Sequence, residues 1–467
     1  MTYDEAVAYL DSHIGAGIRP GLERISIILV MLGEPQKAYP IIGVAGTNGK
    51  TSVTRMVAAI LAGHGLKVGS TTSPHLSVVE ERLELDGIPA TQEEFAQAVE
   101  DIVPFLDIFR QQYDDFPTYF ELTTLLAFSY FASQSVDVAV VEVGLGGRLD
   151  ATNAADAEVA VVTGISLEHT EYLGDTLAEI AGEKVVIAKE GSTLVVGRLP
   201  DEARAVIQHH ADDLGLTLQQ FGDDFESLEP TMAVGGWSTG MRGTYATYED
   251  VFLPLHGRHQ LDNMSVAVAA TEAFFGRALS IDGLRYGLSA VTVPGRLEVA
   301  SRNPAVLIDG AHNSGGFDAL AEALSEEFRL VEFVAVLGAM ADKDVPEMVA
   351  MLDGHVSSVV TTAVDDPRAL TPEQLAEIAS SALDVPVQAV SSPEAALSTA
   401  LAVCGDSEAV LVTGSLYLVG QIRKLLNLRP VVIDDPLLAS DEWSSIDPSE
   451  LAFGDDDIDS EDWTVDD

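Results

Sequence analysis

The chain has 467 residues, 47% of them hydrophobic, enough to bury a large core and, at that length, more readily in two domains than in one. Its 74 Asp and Glu against 25 Lys and Arg leave a formal charge of -49, which excludes nucleic acid and anionic membrane as natural partners. No apolar run approaches the ~18 residues of a membrane span, and Asp4, Glu5 and Asp11 occupy the stretch where a signal peptide is basic and then apolar, so a cytoplasmic protein is expected.

The acidic residues are spread along the chain, and only seven of the 25 basic residues are lysines, a pattern that reads as a surface suited to high salt. Cys404 stands alone, so neither a disulfide framework nor a cysteine metal site is expected.

In chain order, the first apolar, β-branched run is Ile41 to Ala45, followed by Gly46-Thr47-Asn48-Gly49-Lys50-Thr51-Ser52 and a helical pattern over Thr51 to Ala62. Glycines at such a strand-to-helix turn let backbone N–H groups converge on phosphate oxygens, and Lys50 supplies a point charge. The standard phosphate loop has a further glycine where this chain has Val44, so the loop is a shortened variant. A helical stretch from Tyr119 to Ala132 leads into a strand, Val138 to Val143, with Glu142 near its carboxyl end before Gly144-Leu145-Gly146-Gly147. Open α/β sheets bind ligands at that edge, and a carboxylate placed there can hold Mg²⁺ beside a nucleotide; a plain exposed acid at a strand end is the alternative. The strand Val159 to Thr163 is soon followed by His169, which taken alone reads as structural more readily than as a ligand.

A helix over Leu177 to Ala188 and a strand over Leu194 to Val196 come next, then a Gly-rich, weakly patterned segment from Gly222 to Tyr248 that fits hairpins or an insertion, and a helix over Asp262 to Phe275. Small residues with Pro294 and Gly295 mark a linker from Leu288 to Gly295. Beyond it, strands at Ala305 to Ile308, Phe333 to Leu337, Ser358 to Thr362 and Ala409 to Val412 form a second α/β unit, and the first of them runs straight into Asp309-Gly310-Ala311-His312-Asn313. Strands alternating with helices imply parallel sheets. The expected division is 1–293, 294–432 and an acidic, disordered tail over 433–467 that lacks the apolar periodicity needed to pack.

Together with Thr72-Ser73-Pro74-His75-Leu76, Thr118-Tyr119-Phe120-Glu121, Glu142 to Asn153, His169 to Asp175, Glu183-Lys184 and Pro294 to Leu297, these blocks resemble the folylpolyglutamate synthase/dihydrofolate synthase family of the Mur ligase superfamily, from about residue 1 to about 430. The resemblance implies an N-terminal P-loop ATPase domain and a C-terminal Rossmann-like domain, with ATP in the cleft between them. It implies an ATP-dependent ligase joining L-glutamate to dihydropteroate or a reduced folate through an acyl phosphate, acting as a monomer. By the same resemblance, Gly46 to Ser52, Asn263, Arg296, Asp309 and His312 would bind ATP, while Ser73, Glu142 and His169 would hold Mg²⁺. Lys184, once carbamylated, would hold a second Mg²⁺, with K⁺ as a further candidate ion; Lys50, Glu142, His169 and Lys184 would form the catalytic set. Thr118, Tyr119, Phe120, Glu121, Leu149, Asp150, Ala151 and Lys343 would contact the substrates.

Three positions depart from the family pattern: Thr51 and Val186 replace glycines, and Glu168 stands where aspartate is frequent. Gly17-Ile18-Arg19-Pro20 differs from the form in some bifunctional members, which leaves open whether dihydropteroate is accepted as well as reduced folates. A ligase of the same fold with another acceptor, and a nucleotide-binding module without ligation, are the competing readings.

Overall fold

The computed structural model describes residues 1–428 apart from Ile18 and Asp406, so the acidic tail over 433–467 lies outside the described residues. Three sheets organise it. The first has eight strands, in the order Ile88–Pro89, Glu84–Leu85, Val68–Thr71, Val138–Glu142, Ile41–Ala45, Val159–Val162, Thr193–Val196 and Thr217–Gln220, antiparallel over the first three and parallel thereafter. Its central strands, Ile41–Ala45 and Val138–Glu142, are buried at every residue, which is why they read as unbroken apolar runs rather than alternating ones. Each fully buried Val or Ile there contributes about 1.5–3 kcal/mol.

Helices cover both faces. On one side Lys50–Gly63, His259–Phe275 and Ile281–Ser289 pack into a core with Val44, Val140 and Val161. The helices Lys50–Gly63 and Ile281–Ser289 cross at backbone contact: a Cβ on Gly287 would lie 2.4 Å from the Ala59 carbonyl oxygen. On the other side Gln92–Tyr113 and Tyr119–Ser133 bury Phe95, Phe109, Phe128 and Phe131.

The segment expected to hold hairpins or an insertion forms a four-stranded antiparallel sheet, Glu226–Ser227, Thr231–Ala233, Gly236–Arg242 and Thr247–Leu253. The third sheet begins after the Pro294-Gly295 turn. Its order is Glu298–Arg302, Ala305–Ile308, Glu408–Thr413, Glu332–Leu337, Val356–Thr362, Val387–Val390, antiparallel only at the first pair.

The two α/β units meet through specific polar contacts as well as through Leu76, which packs against the core of the third sheet. Glu327, at the end of helix Ser314–Glu327, receives hydrogen bonds from Trp237 Nε1 at 3.2 Å, His256 Nδ1 at 2.7 Å and the Gly257 amide at 2.5 Å. Its side chain is 4% exposed, so this carboxylate is enclosed by donors from the first unit. Among the described residues, no helix is long and apolar enough to cross a membrane.

Candidate nucleotide and acyl-transfer site

The carboxyl ends of Ile41–Ala45, Val138–Glu142 and Ala305–Ile308 converge on one cleft of about 370 Å³ between the two units. The phosphate loop forms its floor. Gly49 caps helix Lys50–Gly63 in the left-handed region at φ 82°, and a Cβ there would meet Asn263 Oδ1 at 2.4 Å, so backbone conformation and close approach both require glycine. The loop's amides therefore open at a helix N-terminus, where anions are favoured.

Two lysines share one carbonyl of this loop. Lys50 Nζ donates to the carbonyls of Gly46 at 3.1 Å and Thr47 at 3.0 Å, and Lys184 Nζ donates to Gly46 at 2.7 Å. Burial, reinforced by the Lys50 charge, brings the Lys184 ammonium down to about 7.

Glu142 faces the lysines from the next strand. Both its oxygens accept from Thr51 Oγ1, at 3.0 and 3.1 Å, and one also accepts the Ser73 amide at 3.2 Å. Burial pushes its carboxyl above the usual range, and Lys50 pulls it back. Ser73 Oγ beside it is buried without a hydrogen-bond partner. A buried, unpartnered hydroxyl next to a carboxylate, with the His169 imidazole lining the same cleft, is a donor set that fits Mg²⁺. Among the described residues, no three His, Cys, Asp or Glu side chains cluster as a metal site of their own.

The opposite wall comes from the second unit. Asp309 Oδ2 accepts the Leu297 amide and Oδ1 the Ala311 amide, at 2.9 and 2.8 Å, which fixes the turn that carries His312. Asn313 caps helix Ser314–Glu327 and reaches across the cleft: its Nδ2 donates to Asn48 Oδ1 at 3.1 Å and to Glu168 Oε1 at 3.2 Å. Glu168 also faces His312 Nε2 at 3.4 Å. Burial raises the Glu168 carboxyl, but the His312 hydrogen bond and the Lys50 charge outweigh it and hold the group well below its ordinary range. His169 is left-handed at φ 50° and is held below its ordinary range by burial, against the pull of Glu168.

Thus Thr47 to Ser52, Ser73, Glu142, His169, Lys184, Asn263, Arg296, Asp309 and His312 line a single cleft, and Gly46 presents its carbonyl there. The residues expected from the family resemblance to contact substrate lie outside it. Thr118 and Glu121 are engaged in a reciprocal cap of helix Tyr119–Ser133, and Glu121 is further paired with Arg24 at 3.1 Å. The Asp150 carboxylate holds the glycine loop through the Leu145 and Thr152 amides, and Ala151 is in the core. Leu149 is exposed, Phe120 packs against Gly144, and Tyr119 lies under Arg82. Lys343 sits 3.6 Å from Asp342 and acts on His169 only through its charge. Asn313 and Glu168 had no place among the expected ligands, although each adjoins a histidine that did.

A family model described as the Mur ligase middle domain matches residues 44–271, and one described as the Mur ligase, glutamate ligase domain matches residues 295–416. A Mycobacterium tuberculosis protein named dihydrofolate synthase/folylpolyglutamate synthase is 39% identical over 444 residues, covering 88% of this chain and 91% of its own. The structure of Mycobacterium tuberculosis folylpolyglutamate synthase complexed with ADP superposes with a TM-score of 0.88 at 38% identity, over 92% of this chain and 99% of that one. An Escherichia coli relative in complex with DHPP and ADP gives a TM-score of 0.82 at 31% identity, over 92% and 99%.

Proposed function

The chain belongs to the folylpolyglutamate synthase/dihydrofolate synthase family of Mur ligases, and from that membership we propose that it joins L-glutamate to dihydropteroate, to reduced folates, or to both, consuming ATP. The observation that carries the reading is the single cleft in which a phosphate loop, two lysines and the strand-end residues of a second α/β unit face one another.

ATP lies with its phosphates on the Gly46 to Ser52 loop, and Asp309, His312, Arg296 and Asn263 hold the rest of the nucleotide. The acceptor carboxylate attacks the γ-phosphorus and ADP leaves, forming an acyl phosphate. The amine of glutamate then attacks the acyl carbon, and the C–O bond to phosphate breaks. Phosphoryl transfer of this kind depends chiefly on positioning and on neutralising charge, which Lys50 and the loop amides supply. Mg²⁺, held by Ser73, Glu142 and His169, would add neutralisation at the phosphoryl oxygens. The Asn48–Asn313 contact ties the second unit to the loop, and closure of the two units over the cleft keeps water from the acyl phosphate.

Lys184 has a further role in this reading. Two ammonium groups on the Gly46 carbonyl repel each other, and a value near 7 leaves much of the Lys184 amine neutral and able to add CO₂. The resulting carbamate would reverse the charge and give Lys184 the oxygen that would hold a second Mg²⁺. Residues 1–293 thus supply the phosphate-binding floor and residues 294–432 the closing wall, in a cytoplasmic monomer.

The test is product mass and phosphate release in molar KCl with Mg-ATP and L-glutamate, comparing dihydropteroate with tetrahydrofolate. Glutamate added to both defines a bifunctional synthase, and addition to tetrahydrofolate alone defines chain extension. Addition to neither refutes the folate assignment.

A further inference from the structure

Two arginines are buried among the described residues, and only one has a counter-ion. Arg423 is paired with Glu298, and the half-buried Arg24 and Arg55 have Glu121 and Glu84. Arg82, at the end of the helical turn Val79–Arg82, is 8% exposed and has no carboxylate within ion-pair distance among the described residues. Its Nε donates to His75 Nδ1 at 3.0 Å, and its guanidinium stands 5.6 Å over the Tyr119 ring. The neighbouring acid, Glu81, is engaged by the amides of Leu76, Ser77 and Val78 at 2.7, 2.9 and 3.1 Å. The two terminal nitrogens of Arg82 find no acceptor among the described residues, yet they are not sealed from solvent. An unpaired buried cation is costly unless a ligand completes it.

Its surroundings locate that ligand. His75 follows the cleft-lining Ser73 and Pro74, and Tyr119 precedes Phe120, which packs on Gly144 of the cleft wall. Tyr417 of the second unit follows the cleft-lining Leu416 and, like Glu142, is near enough to act electrostatically on Arg82. Arg82 therefore stands where the two units meet at the rim of the cleft, with an aromatic ring beneath it.

We propose that Arg82 is a substrate-binding residue whose guanidinium receives a carboxylate at this rim, an inference that rests on the ligase reading because that reaction brings two carboxylate substrates to the cleft. A planar fork with free terminal nitrogens suits bidentate carboxylate recognition, which an ammonium reproduces only in part. The carboxylate belongs either to the folate-type acceptor or to the incoming glutamate, and the kinetics separate these sources.

Arg82→Gln and Arg82→Lys are compared with the native protein in molar KCl, with circular dichroism to verify folding. In Arg82→Gln the KM for one carboxylate substrate rises roughly tenfold to a hundredfold, Arg82→Lys falls between, and the KM for ATP stays within about twofold. A rise in the glutamate KM assigns the amino acid as the source, and a rise in the folate KM assigns the acceptor. Should Arg82→Gln not fold, the lysine variant carries the same comparison. Unchanged KM values for both carboxylate substrates, or a parallel rise for ATP, overturn the proposal and leave the ligase reading standing. A native protein that adds glutamate to no folate overturns both.

Discussion

Glu327→Ala removes the carboxylate through which the second unit grips the first. The structure sets the size of the effect: three donors, Trp237 Nε1, His256 Nδ1 and the Gly257 amide, lose their common acceptor. Trp237 and Gly257 are buried and find no ready substitute, whereas His256 is partly exposed and can turn to water. At about 1–3 kcal/mol for each buried donor left unsatisfied, with His256 at the low end, the loss is about 3–7 kcal/mol. That is a large part of the roughly 5–15 kcal/mol that holds a typical folded protein together, so the two units uncouple and unfold in separate steps. Trp237 is the sole tryptophan among the described residues and reports on this contact directly. Urea unfolding in molar KCl, followed by tryptophan fluorescence and far-UV circular dichroism, gives coincident curves for the native protein and displaced curves for the variant. Glu327→Gln keeps one acceptor oxygen and loses about 1–2 kcal/mol. If the alanine variant lost less than about 0.5 kcal/mol, the level of an ordinary surface change, the contact would carry no stability and the reasoning would be wrong.

Lys50→Ala abolishes ligation while circular dichroism stays native, since the residue's hydrogen bonds go only to the loop's own carbonyls; near-normal turnover by the folded variant refutes the phosphate-loop assignment. Glu168 is held below its ordinary carboxylate range, so its contribution is complete above the unfolded value of ~4.5 and is lost as pH falls through the lower folded value. The gap in urea midpoint between native protein and Glu168→Gln is therefore widest at neutral pH and narrows in acid, and a gap that stays constant from neutral pH into acid contradicts this. With a formal charge of -49, self-repulsion is screened by salt, and the unfolding midpoint rises steeply as KCl is raised from ~0.1 M to molar levels; a flat response removes the high-salt reading.

What the sequence revealed follows from how locally each feature is encoded. The strands Ile41–Ala45, Val138–Glu142 and Ala305–Ile308 are buried on both faces, so their composition alone marks them, and the phosphate loop is contiguous from Gly46 to Ser52. The 22-residue helix Gln92–Tyr113 is poorly legible in the sequence because Pro104 interrupts its pattern, although Thr91 and Glu94 form the capping box that starts it. A similar box, Thr118 with Glu121, falls inside the block that the family resemblance assigns to substrate, and in the structure each of these side chains accepts the other's backbone amide while Glu121 also pairs with Arg24. The Asn48–Asn313 contact spans 265 residues, and no local pattern encodes it. Arg82 is a related case: an arginine in sequence looks like surface, and only the packing shows it buried without an acid.

The lysines make the strongest link between composition and chemistry. Of seven in the chain, Lys67 holds the Gln134 carbonyl, Lys189 ties Asn153, Ala155 and Asp156 together, and Lys37 pairs with Glu34 on the surface. Lys50 and Lys184, by contrast, converge on one carbonyl, and the carboxylate facing them, Glu142, is bonded to Thr51 and Ser73 rather than to either ammonium. In a protein with three acids for every base, two cations left without an ion pair inside a cleft are not stable by themselves. Their positions make physical sense once phosphate oxygens occupy the loop and one of the two amines has been neutralised or converted to an anion. On the reading proposed above, phosphate oxygens on the loop answer the Lys50 charge, and carbamylation of Lys184 removes the second cation from the Gly46 carbonyl.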